Sequence, residues 1–468
     1  METPLKGLYD RLPPVLQNLA VSGFSTILDR QRYGGRFAEY REFLDRSQWY
    51  SRAELEDYQD ERLRHLVDYA YAHVPYYRES LDERGLKPHD IESRGDLEKL
   101  PTLDKRTIRN RFADLLSDEY DLTKVARGNT SGTTGSPLEI CYDPDMIRMN
   151  YAMLDRQYRW VDTDLGKFGD RVAVIRGNVI VPLSQAKPPF WRYNYLHRQM
   201  LLSSFHLSGD NLGAYIAELR RFSPKVLDGY PSTLYILAKY LKNEGQKLPL
   251  HAVLSSSETL YEFQREAIEE SFDCRVYDYF GAAERVIFAT ECDVHQGRHI
   301  CSEYGITEIV GWDFAAKGIG EEGVIVATSL HNYAMPLIRY VTNDMSAIRA
   351  DRCECGRGLP LMDDVTTKAE DLLTLRDGRI ISPSVLTHPF KPLTTIEESQ
   401  IVQEDVDEVV VKIVPSIGFT EADEAALIHG LQERLGDDVS ICVELVEKLE
   451  RTKSGKFKWV ISRVSLGI

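Results

Sequence analysis

What the 468-residue sequence lacks narrows its chemistry first. No stretch of about 18 apolar residues occurs, which argues against a transmembrane helix, and the opening METPLKGLYDRLPP has no apolar core of a secretory signal. The expected location is the cytoplasm. Positive charge is scarce: 57 Lys and Arg stand against 73 Asp and Glu, a formal net charge of −16. That balance disfavours a broad electrostatic footprint on nucleic acid or on anionic membrane, and leaves room only for local basic features such as a nucleotide funnel. Cysteine is sparse, seven in all, and Cys292, Cys301, Cys353 and Cys355 share one interval of the chain. This is no extracellular disulfide framework; reduced thiols or metal ligands are the expected states. Internal repeats and extended low-complexity tails are absent as well.

What is present describes a globular chain, 43% hydrophobic and 28% charged, long enough for two or more domains. Residues 1–100 read as a charged helical leader, in which Ser51 followed by Glu54 is a capping pattern and Leu63, Leu66, Val67 and Ala70 fall at helical spacing. From Arg171 onward, short β-rich runs (RVAVI, KVLDGY, HAVLSSS, CRVYDYF) alternate with helical segments, the order of βαβ units. A mostly parallel sheet flanked by helices is therefore expected, an α/β fold. After about Glu370 the texture changes to QEDVDEVVVKIVP, EADEAALIHGLQERLG and SICVELVEKLE, a strand-helix-strand unit of its own. The expected division is 1–369 and 370–468.

Several loops carry chemical signals. NTSGTTGSPLEI, Asn129 to Ile140, concentrates the hydroxyls of Thr130, Ser131, Thr133, Thr134 and Ser136 around Gly132 and Gly135, a composition suited to holding anionic oxygens. No lysine follows its second glycine, so it is not a Walker loop, and a plain Ser/Thr/Gly linker is the alternative. YDYFGAAE, Tyr277 to Glu284, follows a β run and offers aromatics and a carboxylate where open α/β sheets bind ligands. YVTNDM, Tyr340 to Met345, places Asp344 after a strand-like run, either for ribose hydroxyls or in an ordinary Asn-Asp turn. RTKSGKFKW, Arg451 to Trp459, is a basic Gly-centred turn whose plain reading is a solvated hairpin. GIGEEG, Gly318 to Gly323, satisfies the dinucleotide fingerprint but precedes VIVATSL, a strand, and is read as a glycine-rich turn. ECDVHQGRHIC and RCECGR supply Cys292, His295, His299, Cys301, Cys353 and Cys355, either a metal set or buried unligated thiols.

In this order and at these separations the segments resemble the adenylate-forming superfamily of acyl-CoA synthetases. The nearer resemblance is to its phenylacetate-CoA ligase branch, and within it to relatives found with capsular-polysaccharide genes. HLVDYAYAHVPYYRESL, DLEKLPTLDKRTIR, VLDGYPSTLYILAKYL and LSSSETLYEFQREAIEESF extend the likeness nearly end to end. The resemblance implies a large multi-sheet N-terminal domain that binds ATP and acid and a small α+β C-terminal lid. It further implies a loop over the ATP phosphates at Thr130 to Ser136. Ser256, Ser257, Glu258, Tyr279, Phe280, Gly281, Asp344 and Lys368 would surround adenine and ribose, and Glu284 would hold Mg²⁺. Tyr230, Ser232 and Ser256 would line the acid pocket, and Lys456 would be the catalytic lysine brought by the lid. Leu138 stands where the wider family has a lysine, and TKAEDLL, with Lys368 and Glu370, departs from the usual hinge residues. The Cys/His set favoured by resemblance is Cys292, His299, Cys353 and Cys355, a structural zinc site.

The implied reaction joins a carboxylic acid to AMP, with release of pyrophosphate, and passes the acyl group to CoA. The alternatives are another acceptor (an amine, a carrier-protein thiol, or nitrite chemistry on an aryl amine) and a scaffold that keeps the fold without turnover. ATP, Mg²⁺ and a small-molecule acid are the implied partners, with CoA as acceptor and a homodimer as a candidate assembly; no nucleic acid is implied.

Overall fold

A computed structural model describes residues 4–129, 138–311, 313–365, 373–381, 383–390, 392–393, 395–449 and 459–464. The leader is helical, as expected, with helices Pro4–Asp10, Pro14–Arg32, Phe37–Ser47, Arg52–His73 and Pro75–Glu83. Ser51 starts the fourth of these: its Oγ accepts from the Glu54 amide at 3.3 Å, and the Glu54 carboxylate accepts from the Ser51 amide at 2.7 Å. Two of the helix's orphan donors are thereby satisfied. Leu55, Leu63, Leu66, Val67 and Ala70 bury one face of that helix, and all but Leu55 join the core that also holds Ile306, Ile325, Leu337 and Tyr340. Each buried leucine contributes about 1.5–3 kcal/mol of transfer free energy. Among the described residues no helix is long and apolar enough to cross a membrane.

The main sheet has nine strands, in the order Leu361–Met362, Arg298–Ile300, Phe288–Thr290, Arg275–Gly281, Ala252–Ser256, Val226–Gly229, Val172–Arg176, Gln199–Ser203 and Trp191–Asn194. Its centre is parallel, from Arg275–Gly281 through Gln199–Ser203, joined by helices Gly209–Phe222, Pro231–Asn243 and Glu262–Phe272. The margins are antiparallel, which qualifies the expected mostly parallel sheet. The reason is chain length: the short connection Ala282–Ile287 can only turn back, whereas a parallel partner requires a crossover of about a dozen residues or more. At the other margin, helix Pro14–Arg32 covers the edge strand with polar side chains. Asn18 Oδ1 accepts from the Tyr193 amide at 3.0 Å and Ser22 Oγ from the Tyr195 amide at 3.0 Å. An exposed edge is thus closed by side chains in place of another strand.

A second, antiparallel sheet holds Gly305–Val310, Gly323–Ser329 and Tyr340–Ser346. Asp344 therefore lies inside a strand, and not in the turn after one, because Val324 pairs with Met345 and Gly323 with Ser346 beyond a register shift. Gly320 takes a positive φ of 79° in the turn that leads into Gly323–Ser329, so GIGEEG opens a strand. The C-terminal domain is a four-stranded sheet, Ser440–Leu445, Glu408–Pro415, Ile396–Asp405 and Val460–Ser462, with helix Glu421–Leu435. QEDVDEVVVKIVP, read as one strand, is a hairpin: it turns at Val406 and Asp407 between two antiparallel strands. Trp459, Phe390, Leu427 and Leu431 form the core here, and Phe205 of the large domain packs into it. The expected boundary at 369/370 falls in residues 366–372, outside the described residues.

Candidate active site

The parallel strands deliver their last residues to one rim. Val172–Arg176 ends in Arg176, whose Nη1 donates to Ser256 Oγ at 2.8 Å and whose Nε donates to Asp228 Oδ1 at 3.2 Å. Asp228 also accepts from the Tyr158 hydroxyl at 2.7 Å. Three neighbouring strands are thereby tied by charge-assisted bonds at their carboxyl ends. The guanidinium lies 5.7 Å from the centre of the Tyr230 ring and 6.0 Å from that of Tyr279. Burial opposes its charge, yet the Asp228 carboxylate keeps Arg176 above its ordinary range, while burial pushes the Tyr230 phenol up.

Around this arginine the structure gathers most of the expected acid and adenine residues. Ser256 pairs in register with Tyr279, and the Ser232 amide donates to Glu258 Oε2 at 3.0 Å. Ser257 follows with φ of 73°, a left-handed conformation that costs a non-glycine residue about 1–3 kcal/mol and gathers at binding sites. Ser232 Oγ is buried and has no hydrogen-bond partner among the described residues. Arg176 and Asp228 were not singled out in the sequence. The available signal was a charge closing one apolar run, VAVIR, and another inside the next, VLDG; strands buried on both faces rarely carry charge without a partner.

Glu284 lies in the turn after Arg275–Gly281 and is buried, accepting from the Tyr340 hydroxyl at 2.5 Å. Burial first, then the Glu284 carboxylate, pushes the Tyr340 phenol well above its usual value, with Asp344 adding in the same sense. Glu284, Tyr340 and Asp344 thus share one electrostatic neighbourhood. Tyr279 stacks on Phe288 at 5.0 Å and 10°. Phe280 packs half-buried on the core, and Gly281 is exposed at the strand end. Thr130, Ser131, Gly132, Thr133, Thr134, Gly135 and Ser136, Lys368 and Lys456 lie outside the described residues.

At the margin of the same sheet, His299 of strand Arg298–Ile300 and the loop residues Cys292, Cys353 and Cys355 bring their ligand atoms within 4.8 Å of one another. Cys292 Sγ is 3.5 Å from Cys353 Sγ, and Cys355 Sγ is 3.4 Å from His299 Nε2. A tetrahedral zinc with bonds of about 2.3 Å separates its sulfurs by about 3.8 Å, so the set has the right size and donor chemistry. The other ring nitrogen, His299 Nδ1, faces the Leu359 carbonyl at 3.4 Å, which turns Nε2 toward the thiols. Cys301 and His295 stand apart, Cys301 in the core with Tyr304 and His295 beside Glu291. The loop also grips the leader: the Gly358 amide donates to the Gln48 carbonyl at 3.0 Å, and a Cβ on Gly358 would sit 1.7 Å from the Tyr50 carbonyl oxygen. Only glycine fits there.

Residues 373–463 match the family model for the CapK C-terminal domain. Protein CapK of Staphylococcus aureus is 27% identical over 98% of this chain and 100% of its own length. A phenylacetate-coenzyme A ligase of Thermus thermophilus is 26% identical over 88% of this chain and 97% of its own. Among solved structures, a 2-hydroxyisobutyryl-CoA ligase in the postadenylation state superimposes with a TM-score of 0.58 at 22% identity, covering 89% of this chain and 91% of that one. The resemblance read from the sequence holds at the level of branch, and the two-domain fold is that of adenylate-forming ligases.

Proposed function

We propose that the protein is an ATP-dependent, AMP-forming ligase that activates a carboxylic acid as its acyl-adenylate and passes the acyl group to CoA. The observation that carries this reading is the pairing of Ser256 with Tyr279 at the carboxyl ends of neighbouring parallel strands, where an open sheet binds its ligand, followed in the next turn by Glu284, which Tyr340 of the second sheet holds and which shares the electrostatic neighbourhood of Asp344. End-to-end similarity to phenylacetate-CoA ligases supports it. The acid oxygen attacks the α-phosphorus, the bond to the bridging oxygen breaks, and pyrophosphate leaves with the electron pair. The CoA thiol then attacks the acyl carbonyl, its proton is lost, and AMP departs. Both steps bring charged or electron-rich groups together, so positioning and preorganised positive charge carry the rate.

In this reading Tyr279 lies along the adenine, Asp344 takes the ribose hydroxyls, Thr130 to Ser136 close over the phosphates and Lys456 meets the α-phosphate and acid. Lys368 belongs to the hinge beside the ribose, at the division between 1–369 and 370–468. Mg²⁺ held by Glu284 would supply charge for the phosphates. The acid pocket is polar: beside Tyr230 it holds the Arg176–Asp228 pair and a Ser232 hydroxyl in search of a partner. The acid it fits carries a hydroxyl or amino group besides its carboxylate, because a buried hydroxyl left unpaired penalises a purely apolar acid. Zinc on Cys292, His299, Cys353 and Cys355 would be structural, since four protein ligands leave no open position. ATP–pyrophosphate exchange across matched pairs of apolar and hydroxylated acids tests the reading; exchange is expected with the hydroxylated members, and none with any acid would sink it.

A further inference from the structure

The second leader helix is turned the opposite way from an ordinary surface helix. Its buried residues are Gln17, Asn18, Ser22, Ser25 and Asp29, and its exposed ones include Val15, Leu16, Leu19, Phe24 and Ile27, each between 45 and 68% exposed. The inward choice has a cause. The polar stripe supplies the hydrogen bonds that the edge strand Trp191–Asn194 and its turn need, and Asp29 is held by His197 at 2.9 Å and Lys167 at 3.2 Å. Satisfying that edge leaves an apolar face about 18 Å long, from Val15 to Ile27, pointing outward. Leu8 of the preceding helix is exposed as well.

Charge identifies what covers this face. The chain as a whole is strongly acidic, at −16, but the helix is framed by exposed Arg11 and Arg30, neither ion-paired among the described residues. The acids close by are already engaged: Asp10 with Lys6, and Asp29 as above. Beside the helix opens a cleft of about 380 Å³ lined by Arg171, Arg198 and Arg221 with Tyr193 and Tyr195. Tyr195 joins the two features, since its hydroxyl accepts from Asn18 Nδ2 at 3.2 Å. Of the carboxylates about the cleft, Glu218 is taken by Arg221 and the Tyr193 hydroxyl, and Asp170, which feels the Arg198 charge, is paired with Lys225. A second copy laid on this face would bring cation against cation. An anionic lipid surface complements both features at once, apolar side chains entering the acyl boundary and arginines meeting headgroup phosphates.

We propose that the outward face of helix Pro14–Arg32, together with the Arg171, Arg198 and Arg221 cleft, docks the protein on an anionic lipid surface. The full chain is expected to sediment with phosphatidylcholine vesicles containing about 30 mol% phosphatidylserine, far less with phosphatidylcholine alone, and to release as salt rises. The variant L19E/I27E, at side chains with no internal role, should lower partitioning roughly tenfold or more at an unchanged melting temperature. R171Q/R198Q should lower it less and flatten the salt dependence. Equal partitioning to neutral and anionic vesicles, or none to either, overturns the proposal. So does light scattering that shows a dimer which L19E/I27E splits while vesicle binding stays unchanged, for then the face belongs to a second copy.

Discussion

Cys292, His299, Cys353 and Cys355 turn their ligand atoms toward one another, whereas Arg176, Tyr230, Ser256 and Tyr279, on the same sheet, turn theirs toward a shared rim. The first group completes itself: four donors, an oriented imidazole and a loop locked on the leader by Gly358. The second remains partly open, with a strained Ser257, an unpartnered Ser232 hydroxyl and an arginine whose one carboxylate partner leaves donors to spare. A cluster closed on itself is suited to stability, and a rim of polarised groups is suited to ligands. Perturbing the cluster should change how firmly the fold holds, while perturbing the rim should change what it does.

The largest effect is expected at the cluster. Elemental analysis should give about one zinc per chain, and Cys353→Ser should lose it and lower the melting temperature markedly, since a structural zinc can contribute roughly 10 kcal/mol to folding. Retained melting after chelation would erase the distinction drawn above. Lys456→Ala should reduce acyl-adenylate formation by about 10²–10³, roughly 3–4 kcal/mol, with little change in melting. Lys453→Ala and Lys458→Ala are the controls, and comparable losses there would remove the special role of Lys456.

Smaller effects sharpen the contrast. Arg176→Met should raise the Michaelis constant for a hydroxylated acid and narrow its advantage over the apolar counterpart roughly tenfold, about 1.4 kcal/mol. Parallel loss for both acids would make Arg176 a structural tie only. The smallest concerns pH. Burial lowers His206 and His331 to about 4, so both rings are neutral in the fold. An unfolded chain takes up protons below about 6.5 that these rings refuse, so their contribution is full above that value and is lost as pH falls toward 4. His331 Nε2 lies 2.8 Å from the Glu303 carbonyl, to which the neutral ring donates. His331→Gln should therefore flatten the acid limb of a stability profile measured by urea unfolding, and an unchanged limb would place the acid sensitivity elsewhere.

How far these sites could be read in advance depended on how local their chemistry is. Ser51 and Glu54 and the βαβ rhythm from Arg171 were legible because a cap and a period each depend on residues close in sequence, whereas the residues alone left six Cys/His donors open and the set of four came from the resemblance. Asp344 was read as following a strand, with a turn as one alternative, and lies within the strand because cross-strand pairs with Gly323–Ser329 fix its extent. The tie of Arg176 to Asp228 and Ser256 was not legible at all, since it joins three strands that only the sheet order makes neighbours.

Two leader helices mark the limit. The sequence by itself determined that residues 1–100 are helical and that the helix begun by Ser51 has an apolar side, because side-chain period and capping act within a few residues. Which side of each helix faces inward was decided only by the tertiary structure. Leu63 and Leu66 met an apolar sheet, while Asn18 and Ser22 met unpaired amides of a sheet edge, and leaving such amides unsatisfied costs about as much as the apolar burial forgone.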